Sequence, residues 1–247
     1  MICALMIGRK GSKGFPNKNI KKVFGKRICE YPILAAKKTN LIDKFFVSTD
    51  CPTIKKSVKK YDFVQLLDRP KKFSSDKALG DDVFEYSYKQ IEKIASKEKK
   101  KIELIVLLFA NVATLNSKMI VKGIKILRKS KMYDSAVSTS IYNMWSPLRA
   151  RKLDKKTNML KPFVPFKTFG NPKTLNCDRD SQGDVIFADM SVNVVRPSCL
   201  KKMSSGLLPQ KWMGKKIAQI KSNAGFDIDY EWQLPQLKYW IKKYGKN

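Results

Sequence analysis

The chain opens with a short apolar run, Ile2 to Ile7, that breaks at once into a glycine-rich, basic stretch, GRKGSKGFPNKNI. Gly8, Gly11 and Gly14 recur at every third position, with Arg9, Lys10, Lys13 and Lys18 between and after them. A buried strand running into such a loop can aim backbone N–H groups at an oxyanion, because glycine allows close approach and basic side chains neutralise the charge. The first acidic residue is Glu30, which fits an anion site. The spacing G-x-x-G-x-x-G is neither a Walker A loop nor a dinucleotide-binding fingerprint. From these residues alone two readings stand: a phosphate-binding turn, or a surface turn in a Lys-rich protein.

Beyond the loop the hydrophobic period alternates. Ile28 to Thr39 has apolar residues at helical spacing, Phe45 to Thr49 is a β-branched and aromatic run, and Pro52 to Tyr61 reads as a short helix with proline in its first turn. Phe63 to Leu67 is a strand, Asp81 to Lys97 a helix, and Ile102 to Ala110 a nearly continuous apolar run of the kind a buried parallel strand shows. Ser117 to Arg128 is helical with Ser117 as N-cap, and Ser135 to Ile141 is a strand. Strand and helix in alternation predict an α/β fold with a doubly wound, mostly parallel sheet. After it, 142–182 is rich in Lys, Pro and Asn and reads as an irregular excursion or arm. Val185 to Val195 and Ile217 to Lys221 are strands, and a last helix runs from Tyr230 to Tyr244, with Asp229 as a possible cap. At 247 residues the whole of 1–247 fits one domain.

The net charge is +30, from 51 basic and 21 acidic residues. Such a charge favours polyanionic partners, but the lysines are spread in pairs and triplets, as a general Lys bias with solvated faces would also give. There is no histidine. Ser-His-Asp and Cys-His catalysis, histidine bases and histidine metal ligands are therefore excluded. A metal would be held by carboxylates and phosphate oxygens, which points to Mg²⁺ or a similar hard cation. The five cysteines form no C-x-x-C pair, and free thiols in a reducing compartment are expected. No signal peptide and no membrane span are read, so a soluble cytoplasmic protein is expected.

Carboxylates mark the remaining candidates. Asp50 ends the run VSTD, either at the carboxyl end of a strand, where α/β sheets bind ligands, or as a cap for the helix at Pro52. Asp227 and Asp229 form a D-x-D; in extended backbone they point the same way and can share one Mg²⁺, or else Asp229 caps the last helix and Asp227 is solvated. Asp184 and Asp189 lie around the strand VIFADM.

These stretches together resemble a known family. GRKGSKGFPNKNI is similar to the N-terminal signature of the cytidylyltransferases that activate acidic sugars, the acylneuraminate and 3-deoxy-manno-octulosonate group, with Gly8 in place of an alanine. VSTD at Val47 to Asp50, RP ahead of SSD across Arg69 to Asp76, and FDID at Phe226 to Asp229 come in the family's order, so the resemblance spans the chain. It implies a Rossmann-like nucleotidyltransferase fold and transfer of CMP from CTP to an acidic sugar, for surface polysaccharide synthesis. Arg9 and Lys13 would act on the phosphates, with Gly11, Ser12, Lys18, Asn19, Arg69, Asp76 and Asn111 holding the nucleotide. Arg179, Gln182 and Asp189 would lie on the sugar side, and Asp227 and Asp229 would bind Mg²⁺. The reaction needs positioning and electrostatics more than a protein nucleophile, so the lack of histidine is no obstacle. A homodimer is implied too, with no nucleic-acid or membrane partner.

Departures from the pattern bear on specificity. After the central buried strand the family often has Q-P-T-S-P-L-R; here Phe109 replaces the glutamine, and Asn111 and Thr114 are the candidates to replace its contacts. Gly80 stands where the family has a small hydroxyl residue. Two other functions remain open on sequence: a nucleotidyltransferase using another NTP or a phosphorylated alditol, and a non-catalytic basic protein that binds polyanions.

Overall fold

The computed structural model describes residues 1–12, 14–75, 78–176, 178 and 183–245. The strand Ile2–Ile7 (β1) is buried along its whole length and lies near the middle of a seven-stranded sheet. Its side chains alternate between two apolar layers: Ile2, Ala4 and Met6 face one, Cys3, Leu5 and Ile7 the other. This is the period-2 consequence of a strand covered by helices on both faces.

The hairpin strands Lys22–Val23 (β2) and Lys26–Arg27 (β3) come after the glycine-rich loop. Then come Lys44–Ser48 (β4), Val64–Leu67 (β5), Leu104–Phe109 (β6) and Ser135–Ile141 (β7). Arg151–Asp154 (β8) and Met159–Pro162 (β9) form a separate hairpin, and Ile186–Val195 (β10) and Ile217–Lys221 (β11) complete the set. The large sheet runs β11-β7-β10-β6-β1-β4-β5. Its pairings are parallel except for those of β10, which is antiparallel to both β6 and β7.

Among the described residues the helices are Glu30–Lys37 (α1), Pro52–Val58 (α2), Gly80–Lys97 (α3), Ser117–Lys129 (α4), Pro197–Lys201 (α5) and Leu234–Tyr244 (α6). Ile33 of α1, Ile54 of α2, Ile124 of α4 and Trp240 of α6 fill one layer. Phe84, Tyr88 and Ile91 of α3 and Leu200 of α5 fill the other. The expected α/β, doubly wound, mostly parallel sheet is thus the observed one.

Three local expectations are corrected. Asn116, not Ser117, caps α4: its side chain accepts from the Met119 amide at 3.1 Å, the reach of an N-cap to the third helical residue. Asp229 does not cap the last helix; the Asp229 and Tyr230 amides are taken by the Gln233 side chain at 2.7 and 2.8 Å. The segment also begins as a 3₁₀ turn, Glu231–Gln233, and α6 starts only at Leu234, which places Pro235 in its first turn, where a missing N–H costs nothing. Finally, 142–182 is not irregular throughout, because it carries the β8–β9 hairpin.

Candidate active site

The site grows from the carboxyl ends of the central strands. Ile7, the last residue of β1, pairs with Ser48 of β4 on one side and Phe109 of β6 on the other. The chain leaves all three strands at one level, beside the point where strand order reverses, where open α/β sheets bind ligands. A cavity of about 400 Å³ opens there, lined by Arg9, Ser12, Lys18, Asn19, Arg69, Asn111 and Asp229 among others.

The glycine-rich loop is held by its own short-range chemistry. Asp50 accepts from the Lys10 amide at 2.9 Å, so it orders the loop, while the helix start at Pro52 has no side-chain cap. Asn19 donates its amide to the Arg9 carbonyl at 3.1 Å, and its buried Oδ1 has no partner among the described residues. Gly11 has φ +75°, a conformation that a side chain would strain. Gly14 lets the loop pass close to the D-x-D segment, since a Cβ there would lie 2.9 Å from the Asp229 carbonyl oxygen.

Gly8 explains one departure from the family pattern. A Cβ at this position would meet the Cβ of Ala110 at 2.4 Å. Glycine is what the close approach of Ala110 allows at this position.

Arg69 is fixed as a wall of the cavity. Its guanidinium donates to the Ser48 carbonyl at 3.2 Å and to the Phe73 carbonyl at 2.8 Å. Burial pulls its pKa down, Asp50 opposes this, and the like charge of Arg9 adds to it. Two guanidinium groups close enough to repel make a site for an anion with several negative oxygens.

On the opposite side stands the D-x-D. Ile228 is fully buried in a small apolar cluster with Phe15, Val23, Ile28, Ala113 and Leu237. Asp227 and Asp229 flank this plug. Asn111, just past β6, clamps the segment: the Ile228 amide donates to the Asn111 carbonyl at 3.0 Å, and the Asn111 amide donates to Asp227 at 3.1 Å. Lys18 pairs with Asp229. Burial pushes the Asp227 pKa up, the Asp229 charge pushes it further, and Lys18 opposes both. Two oxygen-donor carboxylates that repel each other in a partly buried site fit a hard divalent cation, which would relieve that repulsion. No group of three or more acidic or thiol side chains gathers among the described residues, and Mg²⁺ is commonly held by one or two carboxylates together with substrate phosphates.

The expected site residues therefore divide. Arg9, Ser12, Lys18, Asn19, Arg69, Asn111 and Asp229 share the cavity, and Asp227 is tied to it through Asn111. Gly11 shapes the loop without lining the cavity. Lys13, Asp76, Arg179 and Gln182 lie outside the described residues. Asp189 is not among the cavity-lining residues: it is 5% exposed and accepts from the Ser140 hydroxyl at 2.6 Å, from Ser138, and from the Ser191 amide at 3.0 Å. Thr114 is fully buried and spends its hydroxyl on the Phe226 backbone, so it does not replace the missing glutamine at a ligand. Phe109, at the glutamine's position, lines the cavity and packs edge-on against Phe84 with centroids 5.4 Å apart. The sequence reading missed the clamp made by Asn111 and the buried hydroxyls of β7. The readable signal for the latter is the alternation S-x-S-x-Y from Ser138 to Tyr142, which sets three polar groups on one strand face.

The family model for cytidylyltransferases matches residues 3–197, and the chain belongs to that family. It is 28% identical over 171 residues to a protein of Helicobacter pylori (strain ATCC 700392 / 26695) named pseudaminic acid cytidylyltransferase and UDP-2,4-diacetamido-2,4,6-trideoxy-beta-L-altropyranose hydrolase. That match covers 69% of this chain and 31% of the relative, so the chain spans about a third of its length. Among solved structures, a CMP:2-keto-3-deoxy-manno-octonic acid synthetase complexed with CTP superposes with a TM-score of 0.66 at 12% identity, over 98% of each chain. A 4-diphosphocytidyl-2C-methyl-D-erythritol synthase from Anaerococcus prevotii DSM 20548 gives 0.62 at 12% identity, over 98% of this chain and 96% of the other. At such identities the likeness concerns the fold.

Proposed function

We propose that the protein is a Mg²⁺-dependent cytidylyltransferase that moves CMP from CTP to an acidic sugar and releases pyrophosphate. The observation that carries this reading is the meeting of Arg9, Lys18 and Arg69 with the Asp227–Asp229 pair around one cavity at the strand ends. Cations on one side and a carboxylate pair on the other suit a triphosphate with its metal ion.

In the reaction, a hydroxyl oxygen of the acceptor forms a bond to the α-phosphorus. The bond from that phosphorus to the bridging oxygen breaks, pyrophosphate leaves with the electron pair, and the hydroxyl proton passes to solvent. Arg9 and Arg69 bind the phosphate oxygens, and Ser12 and the loop amides orient them. Lys13, whose sequence position lies in the same loop, neutralises charge on the leaving pyrophosphate. Mg²⁺ held by Asp227 and Asp229 would supply charge neutralisation at the phosphate oxygens. The acceptor class rests on the names of the relatives, which specify pseudaminic acid and 2-keto-3-deoxy-manno-octonic acid. The product would be a CMP-sugar for surface polysaccharide.

We place the enzyme in the cytoplasm as a homodimer. No helix among the described residues is long and apolar enough to cross a membrane, and Cys3, Cys29, Cys51 and Cys199 are free and buried. The region 142–169 exposes Met144, Trp145, Leu153, Leu160 and Phe163 by more than half each, an apolar surface suited to a second copy.

The test is pyrophosphate release with Mg²⁺ across CTP, ATP, GTP and UTP, against a panel of acidic sugars and a phosphorylated alditol. Release with CTP and one acidic sugar is the expected result. Release only with the alditol phosphate or another NTP would move the enzyme to a different branch of the fold. Absence of release and of nucleotide binding, with tight salt-sensitive RNA binding, would favour the polyanion-binding alternative.

A further inference from the structure

The buried acid Asp189 sits where β10 breaks step with its neighbour. The register between β10 and β7 shifts between Ala188 and Asn193, and Met190 within this bulge has φ +61°. Bulges of this kind re-aim a side chain next to a site. Here the bulge turns Asp189 inward, onto the face of β7 that carries Ser138 and Ser140. A carboxylate so deeply buried is costly unless its oxygens are satisfied, and three donors reach it.

The donors lead onward to the D-x-D. Ser140, while donating to Asp189, accepts from the Gly225 amide at 2.8 Å. Tyr142, two residues further along, donates to the Gly225 carbonyl at 2.9 Å. Ser191, in the bulge, bonds Thr114 at 2.9 Å, and Thr114 both donates to the Phe226 carbonyl at 2.8 Å and accepts from the Phe226 amide at 3.0 Å. Gly225 and Phe226 are the two residues immediately before Asp227. The contact is too close for a side chain: a Cβ on Gly225 would lie 2.5 Å from the Asp189 Oδ2 and 2.5 Å from the Ser191 hydroxyl. With Asn111 clamping Ile228 at the centre of the motif, the D-x-D backbone is held by fixed polar groups both just before it and within it.

We propose that Asp189 is a positioning residue for the cation site. Acting through Ser140 and the bulge, it fixes the backbone at Gly225–Phe226, so that Asp227 and Asp229 project together. It touches neither nucleotide nor sugar. The inference rests on the reading of Asp227 and Asp229 as the Mg²⁺ pair. Partners of this outer kind commonly set metal affinity by 10–100-fold.

The experiment measures Mn²⁺ affinity of the whole protein by electron paramagnetic resonance, without CTP, at a temperature well below unfolding. The variants are Asp189→Asn, Ser140→Ala, Asp227→Asn and Ser135→Ala. Ser135 is a control for a merely structural role, because its buried hydroxyl holds the Met213 carbonyl at 2.6 Å from the same strand. The expected result is loss of Mn²⁺ binding in Asp227→Asn, affinity about ten-fold weaker in Asp189→Asn and Ser140→Ala, and wild-type affinity in Ser135→Ala. In turnover, the same two positioning variants should raise the Mg²⁺ concentration for half-maximal rate more than they lower kcat. If Asp189→Asn fails to fold, Ser140→Ala decides. Wild-type Mn²⁺ affinity in the positioning variants, with Asp227→Asn still defective, would overturn the inference alone. Unchanged affinity in Asp227→Asn would overturn the metal reading and the inference with it.

Discussion

At the scale of single residues, Asp227 carries opposite demands of stability and function. Its pKa is raised by burial and by Asp229, so ionising it costs the folded protein more than it costs the unfolded chain. A group whose folded pKa is raised contributes stability below its unfolded pKa and loses it as pH rises through the folded value. Asp227→Asn is therefore expected to raise Tm at neutral pH in the absence of metal, with the gain vanishing below about pH 4, where position 227 is neutral in both proteins. The same substitution should lower Mg²⁺-dependent turnover by about a hundred-fold or more, the size of a lost charge stabilisation of a few kcal/mol. Calorimetry beside a turnover assay checks both; a variant that is less stable and fully active would contradict the account. Gly8 offers a second test. Gly8→Ala forces two Cβ atoms to within 2.4 Å and should cost about 1–3 kcal/mol. Gly8→Ala with Ala110→Gly should regain most of that, which chemical denaturation of both variants will show.

At the scale of elements, the glycine-rich loop is placed by its surroundings. The β2–β3 hairpin next to it is tied to α1 through Glu30, which is 2% exposed. The Arg27 amide and the Tyr61 hydroxyl each donate to this carboxylate at 2.8 Å, and Lys60 pairs with it. Burial pushes the Glu30 pKa up, but these partners outweigh it and hold the carboxyl below its usual range. A depressed carboxylate stabilises the fold above its unfolded pKa, and the contribution is lost as pH falls through the folded value. Glu30→Gln should cost about 1–3 kcal/mol at neutral pH, or roughly 2–4 °C in Tm per kcal/mol for a chain of this size. The deficit should shrink below about pH 4, and a pH-independent deficit would contradict this. Much of the architecture was legible from the alternation of strand and helix patterns: the strands read at Ser135–Ile141 and Ile217–Lys221 have the observed limits. The glycine-rich loop and the D-x-D stand out in sequence because their chemistry is local. Pairings between residues far apart in sequence could not be read. Asn111 holds Asp227 across 116 positions and Asp189 meets Ser140 across 49; the S-x-S-x-Y alternation marks the Ser140 face, but nothing local says what that face meets. The family resemblance put Asp189 on the sugar side; in the structure the bulge turns it onto the buried hydroxyls of β7.

At the scale of the whole molecule, the net charge of +30 and the exposed apolar arm make separate predictions. If the arm is covered by a second copy, light scattering should give a dimer mass across a concentration series. Replacing Trp145 and Leu160 by Ser should then give a monomer with an intact fold by circular dichroism; a monomeric wild-type protein would contradict the dimer. The charge should strengthen nucleotide binding at low ionic strength without selecting the base. Selection has to come from the cavity at the strand ends, and that is the claim on which the functional account stands. The most direct measurement is titration calorimetry of CTP into the protein with and without Mg²⁺, in wild type, Arg69→Ala and Asp227→Asn. The account predicts Mg²⁺-enhanced binding of CTP at one site per chain, weakened by Arg69→Ala and made indifferent to Mg²⁺ by Asp227→Asn. Failure of CTP to bind, or binding that neither variant alters, would contradict it.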